Sequence, residues 1–275
     1  MNRYAKTFAA LKSRNEIGFI PFAVAGDPDI KTSERILRAY LDGGADILEI
    51  GYPFSDPVAD GPVNQRAAGR AIAAGLDHAK FFSLMRKLRA ATDVPIGLLC
   101  YANSVLHLGY DTFCKRAADA GIDSMLVADM PPEESDELRH AMLRSGIGSV
   151  FIVSELTPPD RMRMICEQTD SFVYVVSRLG ATGAEAMMSS SVGATLRRLR
   201  RVTALPLAVG FGISTTEQVR AMRGAGADAA IVGSGLVALI EKHRHDKKTM
   251  IRVLTRRVAE LKKATRRPET SHGEK

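Results

Sequence analysis

The chain has 275 residues, a length that fits one large α/β barrel or two small domains. Its 45% hydrophobic and 25% charged residues are ordinary for a globular chain with a sizeable core, and no run of 18 apolar residues is present to form a membrane-spanning helix. The formal charge of +7 lies at one end: residues 240–275 carry 12 Lys/Arg against five Asp/Glu, leaving 26 of each sign in the remainder. That stretch holds no aromatic residue to stack on a base, so it reads as a solvated terminal helix with a frayed end, not as a surface for nucleic acid or membrane.

Residues 1–16 mix charges with alanines and predict an extra N-terminal helix; they lack an apolar signal region and a cleavage-site pattern, so a cytoplasmic location is expected. Short runs rich in Val, Ile and Leu then alternate with helical periodicity. Strands are predicted over 18–23, 45–50, 95–100, 124–127, 149–153, 172–176, 205–209 and 229–232. Amphipathic helices are predicted over 32–42, 78–91, 110–120, 133–145, 159–167, 193–202 and 216–224. Gly43-Gly44, Gly121, Gly146 and Gly224 mark helix ends, where a left-handed residue past the last turn favours glycine. Strands each followed by a helix indicate an α/β fold: a single (β/α)8 TIM barrel over 1–264, with the extra N-terminal helix, a long C-terminal helix, and a basic, disordered tail over 265–275. A doubly wound sheet usually carries a Gly-rich first turn, whereas the first strand here runs into Ala25-Gly26-Asp27-Pro28.

A barrel places its chemistry at the C-terminal ends of the strands and in the loops that follow. The second strand reads Asp46-Ile47-Leu48-Glu49-Ile50, a carboxylate interrupting an apolar run at that end. Burial there would raise the proton affinity of Glu49 and prepare it for transfer near neutral pH; a rim glutamate, exposed or paired with a lysine, is the alternative. The next loop, Gly51-Tyr52-Pro53-Phe54-Ser55-Asp56-Pro57-Val58-Ala59-Asp60-Gly61-Pro62, is conformationally restricted by its prolines and glycines. Asp60 reads either as a functional carboxylate or as the turn residue before a helix that begins after Gly61-Pro62.

Glycine-bearing turns follow the last three strands: Ser177-Arg178-Leu179-Gly180-Ala181-Thr182-Gly183-Ala184, Gly210-Phe211-Gly212-Ile213-Ser214 and Ile231-Val232-Gly233-Ser234-Gly235-Leu236. At one barrel face, in this order, they favour a phosphorylated ligand held by backbone N–H groups and a helix N-terminus. No metal site is expected, because His78, His107, His140, His243, His245 and His272 all fall in helix-like or tail segments. Cys100, Cys114 and Cys166 form no CxxC pair and read as buried free thiols. No GxSxG motif or Cys–His context suggests covalent catalysis, and no predicted strand carries a lysine for a Schiff base.

The run from Glu49 through Pro53-Phe54-Ser55-Asp56-Pro57 to Asp60-Gly61-Pro62 resembles the signature of the tryptophan synthase alpha chain family, with Tyr52 as a mild departure. The resemblance extends from about Gly18 to Val237 and includes Ala25-Gly26-Asp27-Pro28, Tyr101-Ala102-Asn103, Asp129-Met130-Pro131-Pro132-Glu133-Glu134-Ser135 and the three glycine turns. Ala181, Gly235, Cys100 and the segment from Ser154 to Pro159 depart from the usual form, and the basic C-terminus is no hallmark of the family.

The resemblance implies retro-aldol cleavage of indole-3-glycerol phosphate to indole and D-glyceraldehyde 3-phosphate, a carbon–carbon lyase step of L-tryptophan biosynthesis. Glu49 would act as acid at the ring C3 and then as base at the side-chain hydroxyl, while Asp60 addresses the ring N–H. Phosphate contacts fall to Gly183, Gly212, Gly233 and Ser234, and Thr182, in a lid over 178–188, would position Asp60. The ring pocket would include Phe22, Cys100, Ile152 and Phe211, with Tyr174 near Glu49 and Tyr101 beside the ring. The implied partner is a tryptophan synthase beta chain in an alpha2-beta2 tetramer, touching the loop 53–60 and residues 101–103; pyridoxal phosphate belongs to that partner, and no cofactor is expected in this chain. A stand-alone lyase, a non-catalytic barrel that activates a beta chain, and another phosphosugar isomerase or aldolase remain the alternatives.

Overall fold

The computed structural model describes residues 2–176, 185–210 and 212–266. Its strands are β1 (Gly18–Val24), β2 (Leu48–Gly51), β3 (Ile96–Cys100), β4 (Ser124–Val127), β5 (Gly148–Ser149), β6 (Ile152–Ser154), β7 (Val173–Val176), β8 (Leu207–Gly210) and β9 (Ala229–Val232). All pair in parallel, in the order β5-β4-β3-β2-β1-β9-β8-β7-β6. The two short outer pieces, β5 and β6, are ends of one extended segment, the fifth strand expected over 149–153. Its Val150 N–H donates to Met125 O at 3.1 Å, and its Phe151 carbonyl accepts from Tyr174 N–H at 3.0 Å. That segment therefore bonds to β4 on one side and β7 on the other, and the sheet closes into the expected (β/α)8 barrel.

Strand period explains which side chains face the axis. Ile20, Ile47, Leu126, Val150, Phe172, Ala208, Ala229 and Ile231 pack together inside. Their neighbours along the chain, such as Phe19, Leu48, Leu98, Val153, Val173, Leu207 and Val232, join the larger core between barrel and helices. Carboxylates at strand starts tie adjacent strands: Asp46 accepts from Phe19 N–H at 2.8 Å, Asp123 from Ile96 N–H at 2.8 Å and Asp228 from Leu207 N–H at 2.7 Å.

The helical layer comprises α1 (Arg3–Ser13), α2 (Ile30–Asp42), α3 (Pro62–Ala73), α4 (His78–Arg89), α5 (Ala102–Leu106), α6 (Tyr110–Asp119), α7 (Asp136–Ser145), α8 (Pro159–Glu167), α9 (Glu185–Arg200), α10 (Thr216–Ala225), α11 (Ser234–His243) and α12 (Lys247–Ala264). Helix α1 plugs the N-terminal end of the barrel. Tyr4 is buried in the interior cluster and its hydroxyl hydrogen-bonds Ser124 Oγ at 2.7 Å. Gly97 leaves the room, since a Cβ there would stand 3.0 Å from the Tyr4 hydroxyl.

Three expectations need correction. Gly224 lies inside α10, and the left-handed cap is Gly226, at φ 92°; Gly224-Ala225-Gly226 offers two glycines, and the backbone carries the helix past the first. Helix α9 begins at Glu185, earlier than 193, because its first half, rich in Met and Ser, shows no apolar period. The tail does not start at 265: Thr265 is fully buried and donates to Lys262 O at 2.7 Å, and Arg266 pairs with Glu16 at 3.3 Å. Residues 267–275 lie outside the described residues.

Candidate active site

At the C-terminal end of the barrel the inward side chains stop short of filling the axis. They leave a cavity of about 540 Å³, a size suited to a small ligand. Glu49, Asp60, Phe22, Tyr101, Ile152, Tyr174, Gly212, Gly233 and Ser234 all line it. The rest of its wall includes Leu99, Leu126, Ala128, Val176 and Ile231.

Glu49 owes its place to β2. Leu48 and Ile50 face the helices, so the residue between them faces the axis, in register with Phe22 of β1 and Gly97 of β3. It is 6% exposed, and no side chain among the described residues hydrogen-bonds its carboxylate. Burial, with a smaller push from the Asp60 charge, lifts its proton affinity from the ordinary 4.5 to about 8. At neutral pH the group is protonated, in a wall that is otherwise mostly apolar. The reading of Glu49 as an exposed or lysine-paired rim residue is excluded by this burial.

Asp60 ends the loop after β2 and precedes α3, where Pro62 occupies the first helical position. Tyr101 donates its hydroxyl proton to Asp60 Oδ2 at 2.8 Å and accepts from Ala59 N–H at 3.1 Å. Asn64 Nδ2 donates to Asp60 Oδ1 at 3.1 Å, and Gln65 Nε2 to the Asp60 carbonyl at 2.9 Å. Phe54 stacks on Tyr101 with ring centroids 5.2 Å apart. Both carboxylate oxygens are thus held by neutral donors, which keep the group oriented. Burial, and the Asp60 carboxylate it bonds, hold the Tyr101 phenol far above its usual range, so it serves as a donor.

Tyr174 projects inward from β7 beside these carboxylates. Burial first, then the charges of Glu49 and Asp60, hold its phenol neutral. Gly210 on β8 makes this possible: a Cβ there would lie 2.4 Å from the Tyr174 hydroxyl oxygen.

The opposite side of the cavity is backbone. Gly212 adopts φ 75°, a left-handed conformation that glycine takes without strain. Its loop is clamped from behind, where Gln218 Oε1 accepts from Ser214 N–H at 2.7 Å and from Thr215 N–H at 3.1 Å. Arg257 of α12 donates to Ser214 O at 2.7 Å. Helix α11 begins at Ser234, with Gly233 as N-cap and no side chain capping its first amides. An uncapped helix N-terminus facing a cavity, next to a glycine turn, is a ready anion site. Gly235 packs close to Ser214, whose Cβ would stand 3.0 Å from a Cβ at 235.

One expected pocket residue is misplaced. Cys100 is fully buried in the layer between barrel and helices and does not line the cavity; Leu99 does. Along β3 the outward positions are Ile96, Leu98 and Cys100, so the strand period puts the thiol on the far side of the sheet. Thr182, Gly183 and Phe211 lie outside the described residues.

A family model of the tryptophan synthase alpha chain matches residues 8–266. The chain belongs to that family. The tryptophan synthase alpha chain of Methanoregula boonei is 46% identical over 264 residues, covering 96% of this chain and 98% of the relative. That of Escherichia coli is 43% identical over 267 residues, covering 97% and 100%. Among solved structures, tryptophan synthase subunit alpha of Legionella pneumophila superposes with a TM-score of 0.88 at 31% identity, covering 96% of this chain and 98% of that one. A chain of the tryptophan synthase α2β2 complex of Pyrococcus furiosus superposes with a TM-score of 0.83 at 34% identity, covering 90% and 98%.

Sequence reasoning missed several members of the site, Leu99 and Asn64 among them. Leu99 was available from the alternation of β3. Asn64 sits in the first turn of α3, where a polar residue is unremarkable; only its fourth-residue spacing from Asp60 pointed to contact. Tyr101 was expected beside a ring and also holds Asp60.

Proposed function

We propose that this chain cleaves indole-3-glycerol phosphate to indole and D-glyceraldehyde 3-phosphate, as the alpha subunit of a tryptophan synthase. The observation that carries the reading is the contrast between the two carboxylates: Glu49 is buried, without a hydrogen-bond partner among the described residues, and protonated at neutral pH, while Asp60 is fixed by two donors across the same cavity. An acid kept protonated by burial and a carboxylate held in orientation by neutral donors are suited to different roles.

The steps follow from that contrast. The ring N–H is directed to Asp60, whose negative charge stabilises positive charge at the ring nitrogen. Protonated Glu49 gives its proton to ring C3, which breaks the aromatic system and makes the ring a leaving group. The Glu49 carboxylate then takes the proton of the hydroxyl on the attached carbon. The C3–carbon bond breaks, its electrons return to the ring, and the former carbinol becomes the aldehyde. Glu49 ends protonated, as it began. The phosphate is held by the α11 N-terminus and the turns at Gly212 and Gly233. Only proton transfers are required, and these two carboxylates supply them without a cofactor in this chain.

The partner reading draws on the Pyrococcus furiosus complex. A beta chain, which would hold the pyridoxal phosphate, fits against the loop carrying Val58, 81% exposed, and helix α5, whose Leu106 is 51% exposed. Both elements contact Asp60 or Tyr101 directly, so a partner seated on them would act on the acid–base pair. The test is indole release from indole-3-glycerol phosphate by the wild type and by Glu49→Gln, each with and without a purified beta chain. The variant is expected to lose activity by at least about a thousandfold while still binding substrate, and the wild type to gain rate from the partner. Undiminished indole release by the variant would refute the mechanism.

A further inference from the structure

The amide of Asn64 is half used. Its Nδ2 donates to Asp60 Oδ1 at 3.1 Å, but its Oδ1 is buried and has no hydrogen-bond partner among the described residues. The residue lines the cavity. A buried amide oxygen without a donor carries a desolvation penalty that a ligand donor would relieve. Reversing the amide is no remedy, because it would set an oxygen against the Asp60 carboxylate.

We propose that Asn64 is a positioning residue for Asp60 and, through Oδ1, a second acceptor for the same ring N–H that Asp60 addresses. The proposal deepens the lyase reading above and rests on it. Asp60 then works as one corner of a three-residue frame: Tyr101 fixes Oδ2 from β3's end, and Asn64 fixes Oδ1 from α3. Both holders are neutral, so they orient the carboxylate without cancelling the charge it must present to the ring nitrogen. An arginine or lysine at 64 would hold Asp60 as firmly and quench it.

Two variants separate positioning from mere packing. Asn64→Leu keeps the volume and removes both hydrogen-bonding ends. We expect kcat/KM for indole-3-glycerol phosphate to fall about tenfold, the worth of one hydrogen bond to a charged group, with partial recovery in Asn64→Gln. Asn64→Asp places a second carboxylate beside Asp60 at a helix start that tolerates an acid. One of the pair then holds a proton more tightly, so the acidic limb of the kcat/KM profile moves to higher pH. The alkaline limb, set by Glu49, can move only upward, because added negative charge acts on Glu49 as Asp60 does. Wild-type activity measured alongside tells the failure of this proposal from failure of the lyase reading. If the wild type is active and Asn64→Leu keeps its kcat and KM within twofold, the proposal is overturned. Should that variant fail to fold, the Asn64→Asp profile decides, and an unmoved acidic limb overturns it equally.

Discussion

Glu49 carries its proton to a pH at which most carboxylates have lost theirs, and this has two measurable consequences. As the group that must start protonated, it makes kcat/KM fall as pH rises through about 8. For stability, the folded state binds the Glu49 proton more tightly than the unfolded chain does. Stability therefore declines as pH rises from about 4.5 to about 8 and levels off above. The decline is of the order of 5 kcal/mol, at about 1.4 kcal/mol per tenfold change in proton affinity. Glu49→Gln removes the titration, so its stability relative to wild type should improve steadily from pH 5 to pH 8 in urea unfolding. A difference independent of pH would show that Glu49 is not buried as an acid. At this scale the strand end made Glu49 legible, whereas Phe22 and Tyr174 came from the family resemblance and the strand period only accounts for them afterwards. The resemblance misled at Cys100, where it overrode the alternation that puts Leu99 inward.

Between residues and the whole barrel, α3 and α11 form the working unit. The first begins just after Asp60, and the second starts at the anion site. Arg70 of α3 joins them: its Nε and Nη2 donate to Asp27 at 2.7 and 2.9 Å, and its Nη1 donates to Glu241 of α11 at 2.9 Å. Arg66 adds a two-pronged contact to Glu241 at 2.8 Å for each prong. The Asp27 side chain is fully buried, and burial raises its proton affinity against the pull of Arg70. Arg70→Met would strand that carboxylate, at about 3–5 kcal/mol. It would also let the acid–base loop and the anion site drift apart, with a fall in kcat/KM of roughly tenfold or more. Arg70→Lys restores the charge but not the fork, so it should recover only part of either loss. Thermal melting and steady-state kinetics on both variants check this. None of this network was readable from spacing, since Asp27, Arg70 and Glu241 are brought together by barrel closure alone. Elements with a clear apolar period were readable, including the second half of α9; its first half, without that period, was not.

Closure of the whole molecule depends on how its two ends meet. Helix α12 runs back along α2, and Lys262, 9% exposed at its side chain, reaches Asp46 at 2.8 Å and Glu16 at 3.0 Å. Asp46 in turn accepts the Phe19 amide that aligns β1 with the start of β2. The basic C-terminal helix, which composition alone marked as a solvated face, thus inserts one of its cations into the seam between the first two strands. Lys262→Met would leave the largely buried Asp46 carboxylate with only the more distant Arg14 guanidinium, at 4.0 Å, and the expected loss is about 1–3 kcal/mol at neutral pH. The sign of the pH dependence identifies the cause. Burial already raises the proton affinity of Asp46, and Lys262 opposes that rise. Without the lysine, the folded state takes up the proton more readily than the unfolded chain, so the deficit shrinks as pH falls. Urea midpoints for wild type and variant should converge as pH falls from neutral toward the ordinary carboxylate range. Parallel curves over that range would mean that the lysine stem, not its charge, holds the ends together.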